Sequence, residues 1–256
     1  TCKWCSRSVF GETHRRRSPA AVADEAQMLV ERWRPDMLWY VDDVFTIHRG
    51  FLLAYADEMA RRGLRIPFEC ISRADRIDAE VADALRRLGC FRLWVGSESG
   101  SQRVLDAMDR RVTVEQVHTA TRLLQGQGIE VGMFIMLGYA GEEDGDLRAT
   151  VDHLKRTAPD VFLTTLAYPI RGTPYYQEMN GALREPGAWS EWSDRDLVPR
   201  GRPTRLYYRF ARQWMEGEVA RHRHWQARRY LRAAGAATRA GAGRLGMRLL
   251  RGQREA

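Results

Sequence analysis

Two thiols open the chain in Cys2-Lys3-Trp4-Cys5. A C-x2-C pair can be half of a zinc site, a thiol redox pair or part of an iron–sulfur loop. Zinc asks for a second pair at knuckle spacing. The other cysteines, Cys70 and Cys90, are too far apart to supply it and read as small core hydrophobes. A thioredoxin-like pair lies between a strand and the helix it opens, whereas here a basic stretch from Arg7 to Arg17 comes before any helical pattern. The other residues able to do chemistry follow short apolar runs. They are the acidic pair Asp42-Asp43, Arg73, Glu98 and Gly138.

Those runs set the positions. Met37–Val41 ends at Asp42-Asp43, Arg65–Ile71 at Ser72-Arg73, Phe91–Val95 at Gly96-Ser97-Glu98, Glu130–Leu137 at Gly138 and Val161–Ala167 at Tyr168-Pro169. All are short and rich in β-branched or aromatic residues, as buried parallel strands are. Between them lie helical patterns. Pro19–Trp33 has Ser18 as N-cap and Pro19 at the first helical position. Phe51–Arg62 and Ala79–Leu88 end at glycine C-cap signals, Gly63 and Gly89. Thr113–Gln127 is followed by Gly128, and Asp146–Thr157 stops before Pro159.

This alternation predicts an α/β fold, a parallel sheet with right-handed crossovers that closes wholly or partly into a barrel. The C-terminal strand ends of such a barrel share one face, so Asp42, Asp43, Arg73, Glu98 and Gly138 should converge there.

After about residue 180 the beat stops. Gly181–Pro203 reads as irregular, and Thr204–Ala237 as helical, with Leu206, Phe210, Trp214, Val219 and Trp225 as core contacts. Ala236–Ala256 is Ala/Gly/Arg-rich and reads as a solvated, frayed tail. The alternative is a basic amphipathic helix in weak contact with an acidic membrane surface.

The net charge of +8 comes almost wholly from arginine, Lys3 and Lys155 being the only lysines. Together with abundant Ala and Gly, this reads as compositional bias and gives no strong nucleic-acid signal. Length suffices for one full core plus an appendage. No run of about 18 apolar residues spans a membrane. Cysteine usage favours a reducing, cytoplasmic compartment.

Five blocks in register carry a resemblance. Cys2-Lys3-Trp4-Cys5 is similar to the end of the radical S-adenosylmethionine (SAM) cluster loop, C-x3-C-x-aromatic-C. Tyr40–Thr46, Gly96–Ser101 and Gly132–Glu142 match the blocks that follow it, and Pro169–Tyr175 matches a segment after the last strand. Together, over residues 1 to about 180, they resemble the cobalamin-binding branch of the radical SAM enzymes, which includes anaerobic Mg-protoporphyrin ester cyclase-like proteins.

The resemblance implies a partial (β/α)6 TIM-like barrel lacking its first strand, a core over residues 1–180 and a C-terminal extension over residues 181–256. It implies a fragment that begins inside the cluster loop, without its first cysteine, and is expected to be inactive alone. It implies a 4Fe–4S cluster held in part by Cys2 and Cys5, with one iron left open for SAM. Trp4 would pack near the adenine, Asp42 or Asp43 would face the ammonium, and Glu98 would meet the ribose or the ammonium. Arg73 would pair with the carboxylate, and Gly132 to Gly138 would let the backbone approach the adenine edge. The residue that performs substrate chemistry stays unknown.

A small-molecule substrate and an electron donor such as flavodoxin or ferredoxin are implied. Cobalamin would be held upstream, since these residues carry no Asp-x-His-x-x-Gly signature. Taken one at a time, the same residues have plainer roles. Asp42-Asp43 could cap a helix, Glu98 could pair with Arg73 or Arg92, Trp4 could be core, and the glycines could serve turns. A methylthiotransferase-like tRNA modifier or a basic zinc- or nucleic-acid-binding module are the competing functions.

Overall fold

The computed structural model describes residues 2–5, 11, 15–179, 181–184 and 193–255. Its centre is a parallel sheet of five strands in the order β1 (Leu38–Tyr40), β2 (Phe68–Ser72), β3 (Cys90–Glu98), β4 (Glu130–Leu137) and β5 (Val161–Leu166). Spatial order equals chain order, as in a barrel wall, and the β1 and β5 edges are not joined among the described residues. The helices α1 (Pro19–Trp33), α2 (Arg49–Arg61), α3 (Ala79–Leu88), α4 (Gln102–Ala107), α5 (Val114–Gly126) and α6 (Asp144–Thr157) make the crossovers.

Capping chemistry sets their ends. The Ser18 hydroxyl accepts from the Ala21 N–H at 3.2 Å, and Asp78 accepts from Val81 N–H at 2.8 Å. Thr113 and Gln116 form a reciprocal box. Gly89 caps α3 at φ +101, and a Cβ there would stand 2.5 Å from the Ile66 carbonyl oxygen, so only glycine fits.

Four strands differ from their sequence limits, β5 only by ending at Leu166 and the other three for physical reasons. β2 begins at Phe68 rather than Arg65 because Pro67 has no N–H to give the ladder. β1 stops before Val41, which is 82% exposed. β3 runs on to Glu98 through a register shift between Gly96 and Glu98, a bulge that re-aims the strand end.

The main core lies between the outer face of the sheet and the helices, with Leu85, Leu93, Val131 and Ile135 among its buried residues. A smaller cluster of Val104, Met108, Met136, Tyr139, Ala167 and Tyr175 sits at the strand ends, with Trp4 packed on it.

Past β5 come α7 (Pro174–Glu178), a short antiparallel pair β6 (Leu183–Arg184) and β7 (Val198–Pro199), and two long helices, α8 (Arg205–Gln226) and α9 (Tyr230–Leu250). The expected frayed tail is corrected by the structure. The helix breaks near Arg228, at φ +55, and a second helix folds back on the first. The Ala/Gly composition is what allows it: Ala233, Ala236, Ala240, Gly243 and Gly246 face inward. A Cβ on Gly243 would stand 2.5 Å from Trp214 N, and one on Gly246 2.4 Å from the Phe210 ring. Arg244 then reaches across to α6, with hydrogen bonds of 2.5 and 2.6 Å to Asp144. Among the described residues no helix is long and apolar enough to cross a membrane.

Gly243→Ala is therefore expected to lower unfolding free energy by about 1–3 kcal/mol through overpacking. Gly241→Ala, in open space on the same helix, should raise it by about 0.5–1 kcal/mol through helix propensity. Urea midpoints of the two variants check both signs, and a stable Gly243→Ala protein would refute the tight crossing.

Candidate active site

The inner face of the sheet has a floor and a cavity. At the floor, Trp94 stacks on Phe134 with ring centroids 5.0 Å apart and donates its indole N–H to Glu69 at 2.6 Å. Gly132 lies under this indole, and a Cβ there would meet it at 2.4 Å. Above the floor, at the C-terminal strand ends, opens a cavity of about 460 Å³. Its apolar walls are Ile71, Met108, Phe134, Met136 and Ile170, and its polar ones include Cys2, Cys5, Asp43, Arg73, Glu98 and Arg110. Size and lining are those of a small-molecule site.

Each wall residue is fixed by its element. The Lys3 N–H donates to the Met108 carbonyl at 2.9 Å, and Lys3 accepts from the Tyr175 N–H at 3.0 Å, so the cysteine loop is pinned between α4 and α7. Trp4 donates its indole N–H to the Tyr168 carbonyl at 2.6 Å and meets that ring edge-on. The Phe45 N–H donates to the Ile71 carbonyl at 2.9 Å, and Thr46 and Ser72 hydroxyls share a 2.5 Å hydrogen bond. These hold the turn that carries Asp43 against the end of β2.

Glu98 occupies the left-handed region at φ +61, unusual backbone for a non-glycine and a form found at functional sites. It is held from behind by α6. Ser97, Ser99 and Ser101 face that helix and hydrogen-bond His153 Nε2 (2.9 Å), Thr150 (3.2 Å) and Asp146 (2.6 Å) respectively. Asp146, Thr150 and His153 share one helix face by their spacing. Gly100 lets the backbone lie against that helix, since a Cβ would stand 2.5 Å from the Ala149 carbonyl oxygen.

In front, Arg110 Nη2 donates to the Gly96 carbonyl at 3.0 Å and stands 3.5 Å from Glu98 Oε1. A Cβ on Gly96 would be 2.4 Å from that nitrogen. Burial pushes the Glu98 carboxyl up, and the Arg110 charge draws it back in part. Burial also lowers Arg110, against the pull of Glu98. Arg110 Nε is buried without a hydrogen-bond partner.

The sequence expectations fare unevenly. Cys2, Trp4, Cys5, Asp43, Arg73 and Glu98 all line the cavity. Asp42 is exposed and off it, and neither acid caps α2, whose cap is His48. Gly132 belongs to the floor, so its small size serves Trp94. Gly138, at φ +75, is pressed by Leu166 and Tyr208 and faces a different cavity. Arg73 lines the cavity, but its guanidinium is committed to Asp75 at 2.8 Å and to the Arg110 carbonyl at 3.2 Å. It steadies the turn of Arg110, the residue the sequence did not signal. Cys70 and Cys90 are buried and free, as core residues.

The cavity suits the implied groups in three ways: a thiol pair at its mouth, an unpartnered guanidinium N–H, and apolar walls. Cys2 and Cys5 are joined as a disulfide, the oxidised form of the pair. Iron ligation takes the two thiolates. Among the described residues no three His, Cys, Asp or Glu stand ready to share a metal, so the pair supplies two donors.

The model of the radical SAM superfamily matches residues 1–154. An uncharacterized methyltransferase of Pyrococcus horikoshii is 28% identical over 178 residues, 69% of this chain and 39% of its own length. The anaerobic magnesium-protoporphyrin IX monomethyl ester cyclase of Rubrivivax gelatinosus is 26% identical over 181 residues, 70% and 33% of the two lengths. This chain thus spans between a third and two fifths of those relatives. In fold it resembles the radical SAM methyltransferase TsrM of Kitasatospora setae, solved with cobalamin and a 4Fe–4S cluster. That TM-score is 0.66 at 22% identity, covering 73% of this chain and 40% of that one. The family match takes in the cysteine loop, the strands β1 to β4 and Glu98, so the chain belongs to the radical SAM superfamily, whose enzymes use a 4Fe–4S cluster and SAM.

Proposed function

We propose that residues 1–180 form the catalytic core of a radical SAM enzyme of the cobalamin-dependent branch, acting on a small molecule by methylation, rearrangement or ring formation. One observation carries the reading: Cys2, Cys5, Asp43, Glu98 and Arg110 share one largely apolar cavity at the strand ends. When bound, the cluster and SAM supply a one-electron cleavage of the sulfonium bond. Cys2 and Cys5, as thiolates, would supply two of the cluster's protein ligands. Trp4 packs beside the adenine. Asp43 faces the ammonium, and Glu98 accepts from ribose hydroxyls or from the ammonium. Arg110, with its free N–H, takes the carboxylate, and Arg73 holds Arg110 in place. Ile71, Met108, Phe134 and Met136 keep water from the reacting atoms.

An electron donor of the flavodoxin or ferredoxin kind is required, in keeping with the family. The cobalamin assignment rests on relatives such as TsrM, solved with that cofactor. The residues that would hold it lie outside this core. The described residues that follow the core form the helices α8 and α9, where a tRNA-modifying enzyme of this superfamily would be expected to continue into a β-barrel, which disfavours that alternative.

The test is anaerobic reconstitution of the full-length protein with iron and sulfide, followed by SAM and dithionite. It is expected to yield 5′-deoxyadenosine, and Cys5→Ala should lower the yield at least ~100-fold, since two thiolates hold a cubane poorly. No 5′-deoxyadenosine from the reconstituted protein would end the reading.

A further inference from the structure

Past β4 the chain turns through Gly138, Tyr139 and Glu142, and beside that turn lies a second cavity of about 320 Å³. It shares no lining residue with the first. Tyr139 and Tyr175 stack in its wall at 4.5 Å, and the Arg202 guanidinium lies 5.8 Å over the Tyr208 ring.

Three polar atoms of lining residues are buried with no hydrogen-bond partner: Glu142 Oε1, Tyr175 Oη and Arg202 Nε. Tyr175 is 1% exposed and Arg202 8%. Each residue is otherwise anchored, which leaves those atoms spare. Glu142 Oε2 accepts from the Gly138 N–H at 2.6 Å, and Arg202 Nη1 donates to the Ala167 carbonyl at 2.6 Å. The Tyr175 N–H donates to the Lys3 carbonyl at 3.0 Å. The Ala140 amide lies near the Tyr175 hydroxyl without reaching hydrogen-bond geometry.

Buried polar atoms are normally satisfied, and a cluster of unsatisfied ones calls for a ligand or ion. Burial pushes the Glu142 carboxyl up to about 8, so Oε1 carries the proton at neutral pH and donates. The phenol donates too, and the guanidinium N–H can only donate. Arg200 and Arg254 add positive charge at the rim, against Glu143.

We propose that this second cavity binds a small oxyanion, a carboxylate or a phosphate group, through Arg202, Tyr175 and Glu142. The site stands apart from the cysteine pair and does not depend on the radical chemistry.

Isothermal titration with citrate and with inorganic phosphate tests it. At least one of them is expected to bind, and which one assigns the group. Tyr175→Phe should weaken that binding by about fivefold or more, the loss of one hydrogen bond. The free protein's melting temperature should not fall, because the hydroxyl has no protein partner. Arg202→Lys should weaken binding by about tenfold or more, through loss of the planar fork. Binding of neither anion overturns the proposal. So does a Tyr175→Phe protein that binds as tightly as the parent, which would place the anion elsewhere, for instance beside Arg110. Should Arg202→Lys fail to fold, Tyr175→Phe decides alone.

Discussion

Arg110→Ala in the reconstituted protein is expected to weaken SAM binding at least ~30-fold, or about 2 kcal/mol. Two losses add. The free Nε–H, the donor best placed for a carboxylate, disappears. The Glu98 carboxyl also loses the one cation paired with it among the described residues, at 3.5 Å. Burial already pushes that carboxyl upward and Arg110 draws it back in part, so removing Arg110 raises it further and weakens it as a charged acceptor for the ligand. Removing one member of a buried pair can also cost up to about 3–5 kcal/mol of stability, so affinity is read at a temperature where the variant is folded.

Arg110→Lys should be intermediate, because an ammonium keeps the charge but cannot reach both the Gly96 carbonyl and a ligand carboxylate. Arg111→Ala is the control. That side chain is exposed and among the described residues pairs with Asp109 at 3.0 Å, a solvent-screened surface contact. Equilibrium SAM binding across the three variants checks the order. Binding by Arg110→Ala within twofold of the parent protein would remove Arg110 from the site.

Why Arg110 escaped the sequence reading is instructive. The residues that were legible sit where a short-range pattern ends. Asp43 and Glu98 each follow an apolar run, and Ser18 and Gly89 cap helices whose periodicity is plain; α1 and α3 have the limits expected of them. Arg110 follows the short α4 in a turn where Asp109 and Arg111 both take positive φ, at +48 and +53. Nothing in periodicity marks it, and one arginine among many carries no signal of its own.

Order along the chain puts Asp42 and Gly132 in the matched blocks, but it does not fix that Asp42 lies in an exposed turn two residues past β1 or that Gly132 lies under the Trp94 indole. The Ala/Gly-rich tail failed because composition alone cannot distinguish a chain with too little apolar surface from one whose small residues let two helices touch. Gly243 against Trp214 shows the second case. The serines of Gly96–Ser101 have a purpose that appears only when α6 is in place with Asp146, Thr150 and His153 on the matching face.

That latch has a pH signature of its own. His153 is fully buried, hydrogen-bonded through Nε2 to Ser97 and through Nδ1 to His118 Nε2, each at 2.9 Å. Burial is the main reason its pKa falls to about 3, and the nearby His118 and Arg156 add to it. His118 is lowered too, chiefly by burial. In the unfolded chain a histidine takes its proton near pH 6.5. The unfolded state therefore binds more protons than the folded state between about pH 6.5 and 3, and stability falls as pH drops through that window. At pH 4.5 the loss from His153 alone should reach about 2–3 kcal/mol.

Carboxylates held low by arginines, such as Asp144 beside Arg244, act in the same direction but only where an unfolded carboxylate begins to protonate, below about pH 5. Glu142, raised by burial to about 8, acts in the opposite direction above about pH 4.5, so the difference between the parent and His153→Gln from pH 6.5 to 5 isolates the histidine. His153→Gln has no proton to gain. It should be less stable at pH 7.5, having lost the His118 hydrogen bond, and should lose less stability than the parent as pH falls across that interval in urea titrations. Because Ser97 precedes Glu98, acid that breaks the Ser97–His153 bond frees the strained bulge, and affinity at the cavity should fall with stability. An unchanged slope in His153→Gln would show that the buried ring does not govern the acid response.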